Sequence, residues 1–196
     1  MMSIGAISSA EPRTRRWTAP EYYRMADLGF FRGQNVELID GEIIEMAPQR
    51  NAHVFCVTKV ADALRQAFGP DHWVRVEAPL DLDPHFQPEP DVAVVEGPPH
   101  AGADHPKSAL LVVEVSDTTL RFDRVEKSSL YARHGIAEYW IVNLVDELLE
   151  VHRGPAADVT QRYGASYAAV TVLKRGQTVS PSSRHEAVIS VADLLP

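Results

Sequence analysis

Two acidic residues stand where an apolar pattern calls for something else: Asp91 at the head of DVAVV and Glu114 near the end of LLVVEVS. Both runs are short and β-branched, the composition of strands covered on both faces. A carboxylate at such a position needs a cation, a metal or hydrogen-bond donors to offset its lost hydration. If the two strands pair antiparallel, the start of one lies beside the end of the other and the carboxylates converge. Lys127 follows in DRVEKSSLYARHG, a helical pattern, with Tyr131 four residues later on the same face. Ser116 shares the face of Glu114 by strand alternation. Two carboxylates and a lysine have a coherent joint chemistry. Hard oxygen ligands hold Mg²⁺ or Mn²⁺, which accepts phosphate oxygens, while an ammonium orients an attacking water or stabilises charge developing at phosphorus. That chemistry is phosphodiester hydrolysis.

Each residue also has a plainer reading. Asp91 follows Pro90 and fits a turn residue that satisfies local backbone donors. Glu114 and Lys127 fit a structural ion pair, and Lys127 alone fits a solvated helix charge. The three oddities gain weight together, because they fall at strand and helix ends that one topology would assemble.

The elements that must do the assembling are legible in order. Thr18 to Glu21, TAPE, is a capping-box pattern that opens a short helix to about Leu28, with Gly29 as its stop. In VELIDGEIIEM the pair Asp40-Gly41 separates two apolar-rich arms, a hairpin signal. From Asn51 to Phe68 the residues Val54, Val57, Ala61, Leu64 and Phe68 recur at helical spacing, and Gly69-Pro70 ends the run. HWVRVEAPLDL, DVAVV and LLVVEVS read as three strands. A helix starting near Asp123, where DRVE repeats the capping-box pattern, runs to Gly135, and EYWIVN is a further strand. LLEVHR, YAAVTVL and AVISVADLL form a hairpin-like extension that ends in a helical turn. The expected architecture is a mixed α/β domain with a central mixed sheet flanked by helices and β-hairpins added at both ends. One domain over 18–196 follows a flexible N-terminal arm over 1–17.

Composition agrees with that class. The chain has 196 residues, 45% hydrophobic and 23% charged, with a net charge of −8 and a single cysteine, Cys56, which excludes an internal disulfide framework and a multi-cysteine zinc site. No run approaches the about 18 apolar residues of a membrane helix, and the first residues carry no signal core, so a cytoplasmic location without membrane association is expected. The acidic balance argues against a protein that coats nucleic acid but not against one that gathers acids around a cation.

The ordered set PEPDVAVV, VVEVSDTT and DRVEKSSLYARHGIAEYWIVN, preceded by VELIDGEIIEMAP and a helix near His53, resembles the Uma-type putative restriction endonuclease family, a branch of the PD-(D/E)XK nuclease superfamily. The likeness covers about residues 18–153. It implies a core of helix, three strands, helix and strand, with Mg²⁺ (or Mn²⁺) held by Asp91 and Glu114. Where the superfamily usually places a lysine two residues after the second acid, this chain has Ser116; Lys127, on the next helix, matches the lysine of the Uma-type branch. Glu37 in the hairpin and His53 also match family positions and are candidates for substrate contact or support of the metal, with Tyr131 and Ser116 beside them; an exposed hairpin acid and a surface histidine are the plainer readings of the first two. Tyr139 and Trp140 read as core or interface aromatics, and His72, His85, His100 and His105 as solvated.

For partners, a nuclease of this type implies nucleic acid, DNA first, and a homodimer is the usual assembly, with the hydrophobic terminal strands available as an interface. The segment LRFDRVEKSSLYARHG, with Arg121, Arg124, Lys127 and Arg133, reads as a phosphate-facing edge. No sequence-reading module is present. The reading of a different class is a nuclease-like domain without catalysis that serves as an interaction or nucleic-acid-binding module.

Overall fold

A computed structural model describes residues 13–102 and 104–196. Most of the expected N-terminal arm, residues 1–12, lies outside the described residues. Its last part is tied to the domain: Arg16 pairs with Asp40, and Trp17 N–H donates to Gly41 O at 2.9 Å.

The first helix, α1 (Ala19–Asp27), carries the expected capping box between Thr18 and Glu21. The hairpin strands β1 (Val36–Ile39) and β2 (Glu42–Glu45) pair antiparallel, with Ile39 opposite Glu42. Asp40 and Gly41 both have positive φ, 54° and 73°, the requirement of a primed two-residue turn. Gly41 has a second reason to lack a side chain, since a Cβ there would lie 2.6 Å from Arg16 Cβ and 3.0 Å from Trp17 N. Gly41→Ala is therefore expected to cost about 1–3 kcal/mol in urea unfolding. An unchanged midpoint would mean that the chain before α1 moves aside freely.

The long helix α2 (Asn51–Phe68) buries Cys56, Val57, Val60, Ala61, Leu64 and Phe68. Full burial of each larger side chain contributes about 1.5–3 kcal/mol. Val54, assigned to the buried stripe from spacing, is half exposed, and the buried face begins at Cys56 and Val57 instead.

Six strands form the central sheet in the order β3-β4-β5-β6-β7-β8. They are β3 (His72–Val76), β4 (Val92–Glu96), β5 (Leu111–Ser116), β6 (Glu138–Asn143), β7 (Leu148–Ala157) and β8 (Ala165–Lys174). Pairing is antiparallel except between β5 and β6, which run parallel. The third strand is shorter than HWVRVEAPLDL suggests, because Glu77 turns into the left-handed region at φ 44° and ends the ladder. The C-terminal arms are not an appendage: β7 and β8 complete the central sheet, and only β9 (Thr178–Val179) and β10 (Ile189–Ser190) form a small separate pair.

Alternation along β5 sets its two faces. Val113 and Val115 pack with Trp140 and the buried face of α2, whereas Val112 packs with Leu130, Tyr131 and Tyr139. Glu114 and Ser116 share the second face by period two. That face is covered by a continuous helical run made of α3 (Leu120–Phe122), a π turn (Asp123–Lys127) and α4 (Ser128–Arg133). The run starts at Leu120, not near Asp123, so the DRVE pattern is no capping box. Its aspartate is inside the helix, accepting hydroxyl hydrogen bonds from Ser116 and Thr119, both 2.7 Å. Gly135, at φ 71°, closes the run as expected. Tyr139 and Trp140 are fully buried in the core, and Cys56 is a buried free thiol. Among the described residues, no helix is long and apolar enough to cross a membrane.

Candidate active site

Register brings the two carboxylates together. Val92 of β4 lies opposite Val113 of β5, so Asp91, one residue before β4, stands beside Glu114. Asp91 N–H points to Glu114 Oε2 at 3.4 Å, and Val115 N–H donates to Asp91 Oδ2 at 2.7 Å. From the opposite side, the π turn buries Lys127 and carries its ammonium to Glu114 Oε1 at 2.9 Å and Glu37 Oε1 at 3.1 Å. Tyr131, one turn on, donates its hydroxyl to Glu114 Oε1 at 2.8 Å. Glu37 arrives from β1, whose inner residues are buried. His53, in the first turn of α2, places Nε2 3.0 Å from Asp91 Oδ1. Asp91, Glu114, Lys127, Glu37, His53 and Tyr131 are thus assembled at one place. Ser116 is not aimed at Glu114; its hydroxyl is given to Asp123.

These side chains line a cavity of about 440 Å³ bounded by the chain from Met46 to Gln49 and by Thr119. Its acids outnumber its bases: Glu37, Glu77, Glu89, Asp91, Glu114 and Asp123 face one lysine and one histidine. Glu77, Glu89 and Asp123 were not singled out from sequence. Asp123 was hidden in an apparent capping pattern and Glu77 in what reads as a strand, while Glu89, two residues before Asp91 in PEPD, had only its position as a signal.

Burial and mutual repulsion act on this group in the same direction. Burial raises the Glu114 carboxyl well above its ordinary range; the Lys127 ammonium opposes this, and Asp91, Asp123 and Glu37 add to it. Glu37 and Asp123 are also raised, burial being the main cause. Burial by itself would lower the Lys127 ammonium, but Glu114, Glu37, Asp123 and Asp91 outweigh it and keep the lysine protonated. Glu89, half-buried and repelled by Glu37, is pushed up to about 7. Such a group contributes stability below the ordinary 4.5 that is lost as pH rises through about 7. In EDTA, the urea midpoint is therefore expected to fall between pH 5 and 8, and to fall less steeply in Glu89→Gln. Equal slopes for the two proteins would refute a role for Glu89.

The donor set fits a divalent cation. Glu37 Oε2 is buried with no hydrogen-bond partner, so the cavity holds acceptor capacity that protein donors leave unmet. His53, Glu77 and Asp91 form a cluster whose ligand atoms all lie within 4.8 Å of one another. A bound cation would relieve repulsion among carboxylates that one ammonium cannot neutralise.

The basic edge expected along the lysine helix is formed only in part, since Arg121 and Arg133 are exposed while the other two cations are engaged. Lys127 is buried, Arg124 makes a bidentate pair with Glu150, and Arg133 lies over the Phe86 ring. Three of the histidines expected in solvent are also partly buried: His72 and His85 contact backbone carbonyls, and His105 lies beside Arg75.

A family profile described as "Uma2: Putative restriction endonuclease" matches residues 19–192. Among solved structures, a crystal structure described as a "putative nuclease belonging to DUF820", from Anabaena variabilis ATCC 29413, is similar in fold. Its TM-score is 0.64 at 14% identity, over 90% of this chain and 96% of that one. No curated protein matches the chain. The mixed α/β architecture with a central six-stranded sheet is thereby shared with that structure.

Proposed function

Because the chain belongs to the Uma2 family of putative restriction endonucleases, we propose that the cavity hydrolyses phosphodiester bonds, with a divalent cation held by Asp91 and Glu114 and Lys127 at the reacting phosphate. The observation that carries this reading is the meeting of Asp91, Glu114 and Lys127, from three separate elements, in one open acid-rich cavity. When bound, the cation supplies Lewis-acid polarisation of a phosphoryl oxygen and a water acidic enough to attack at neutral pH.

The chain's own residues do the rest. Lys127 has three donor protons, of which Glu37 and Glu114 take two. The third is available for a phosphate oxygen or for the attacking water, and carboxylates on either side keep the ammonium charged. Tyr131 fixes the Glu114 carboxylate, and Val115 N–H fixes that of Asp91, so neither swings away when substrate enters. DNA is the proposed substrate, following the family's description, and the cytoplasm the proposed location. A homodimer would use the outer strand β8, where Val170 and Val172 are exposed.

The non-catalytic module remains the competing reading, since Glu37, Lys127, Glu114 and Tyr131 also hydrogen-bond one another as a structural network would. A plasmid-nicking assay with Mg²⁺ or Mn²⁺, run beside calorimetric titration of the same ions, separates the two. Wild type is expected to bind the ions and nick, and Asp91→Ala to do neither. Cation binding without nicking would favour the module, and no binding even with DNA present would remove the metal as well.

A further inference from the structure

The cavity is rich in acids, yet the proposed reaction must bring a polyanion to it. Its two bases are already engaged, Lys127 with Glu114 and Glu37, and His53 with Asp91. A cation that meets the rest of a strand must therefore stand outside that group of acids.

Arg50 stands there. The cavity continues into a side arm of about 40 Å³, with which it shares Ala47, Pro48, Gln49, His53 and Thr119. Arg50, Asp117 and Thr118 complete the side arm, and among the described residues Arg50 is the sole arginine lining either space. Arg50 ends one wall, the chain leading into α2, and Asp117 begins the facing wall, directly after β5 and three residues beyond Glu114. The backbone of the first wall is fixed. Met46 N–H donates to Asn35 O at 2.8 Å, Gln49 Nε2 to Glu77 Oε1 at 2.7 Å, and Val54 N–H to Arg50 O at 3.1 Å. The Arg50 side chain is not held in the same way. It is 72% exposed, and its Nη1 lies 3.5 Å from Asp117 Oδ2, long for a charge-assisted hydrogen bond. So exposed an ion pair contributes little to stability, and a phosphate can take the guanidinium from Asp117 at small cost.

Resting on the phosphodiesterase reading above, we propose that Arg50 grips a phosphate flanking the scissile one, so that the substrate is a nucleic-acid strand rather than an isolated phosphodiester. A guanidinium presents two parallel donors to phosphate oxygens and stays charged at any working pH. Asp117 occupies it until the strand arrives and, as a neighbouring anion, limits how tightly the strand is then held.

The test is fluorescence anisotropy of the full chain with a labelled phosphorothioate oligodeoxynucleotide that resists cleavage, over a series of KCl concentrations. Cleavage of the unmodified oligonucleotide in Mn²⁺ is measured beside it. Arg50→Gln, at an exposed position, should fold as wild type does. Its binding should weaken about tenfold at low salt, and the slope of log affinity against log salt should fall by about 1, the mark of one lost phosphate contact. Arg50→Lys should keep the slope while binding more weakly than wild type. Asp117→Asn should tighten binding, and by less when Arg50→Gln is also present. An unchanged slope in Arg50→Gln, with wild type cleaving, would overturn the Arg50 contact and leave the hydrolytic reading standing. A lowered slope with no cleavage by wild type would uphold the contact and overturn the hydrolytic reading. Wild type that neither binds nor cleaves would overturn both.

Discussion

Lys127→Met is expected to leave a folded protein that still binds a divalent cation but cleaves DNA at least about 10²-fold more slowly. Methionine keeps the length of the stem and removes the ammonium. Lost with it are the third donor proton and the charge that would meet the phosphate. The same change leaves Glu37 and Glu114, both nearly inaccessible, without their shared cation. Breaking a buried pair from one side costs about 3–5 kcal/mol, a large part of the stability of an ordinary domain. The loss should be smaller at pH 5 than at pH 8, because at low pH the two glutamates take up protons in place of the missing charge. Urea unfolding in EDTA at both values, beside a cleavage assay at saturating Mn²⁺, reads both effects. Full turnover in Lys127→Met would exclude the lysine from the reaction.

Glu114→Gln is expected to separate stability from activity with opposite signs. The native carboxyl is buried, pressed by three neighbouring acids and held well above its ordinary range. A neutral amide of the same shape relieves that repulsion, and its oxygen can still accept from Lys127 and Tyr131. The metal-free variant should therefore be as stable as wild type or more so, as is common when a strained functional site is neutralised. Cation affinity and cleavage should both fall, because an amide oxygen is a weaker ligand than a carboxylate. Calorimetric titration decides the matter: full cation affinity in Glu114→Gln would mean that Glu114 is a structural charge and that the ion is held elsewhere.

The two results bear on each other. Lys127 and Glu114 are joined by one hydrogen bond, so their stability effects should not add, and the double variant measures the coupling. A purely structural network predicts destabilisation from either single change. A site kept in excess negative charge for a cation predicts it from Lys127→Met alone.

Sequence alone determined a good deal. The strands of Asp91 and Glu114 were legible because acids interrupt β-branched runs, whereas their antiparallel pairing entered only as a condition that the register of β4 on β5 then met. The hairpin of Glu37 was legible from Asp40-Gly41, and α2 from its period and its terminal glycine. Each of these signals is local: periodicity and turn chemistry report which way a residue faces within its own element. Tertiary structure decided which faces meet. The helix of Lys127 begins earlier than its capping pattern suggests and widens into a π turn, and only its packing over β5 turns the face of Lys127 and Tyr131 onto Glu114. Glu77 left its strand for a left-handed conformation, and Glu89 became an inward-facing acid only because the loop before β4 packs beneath β1 through Gln87 and Leu38. The reason is physical. Whether a carboxylate is a solvated charge or part of a cavity depends on the elements stacked over it, and that stacking is settled by burial across the whole sheet rather than by neighbours in the chain.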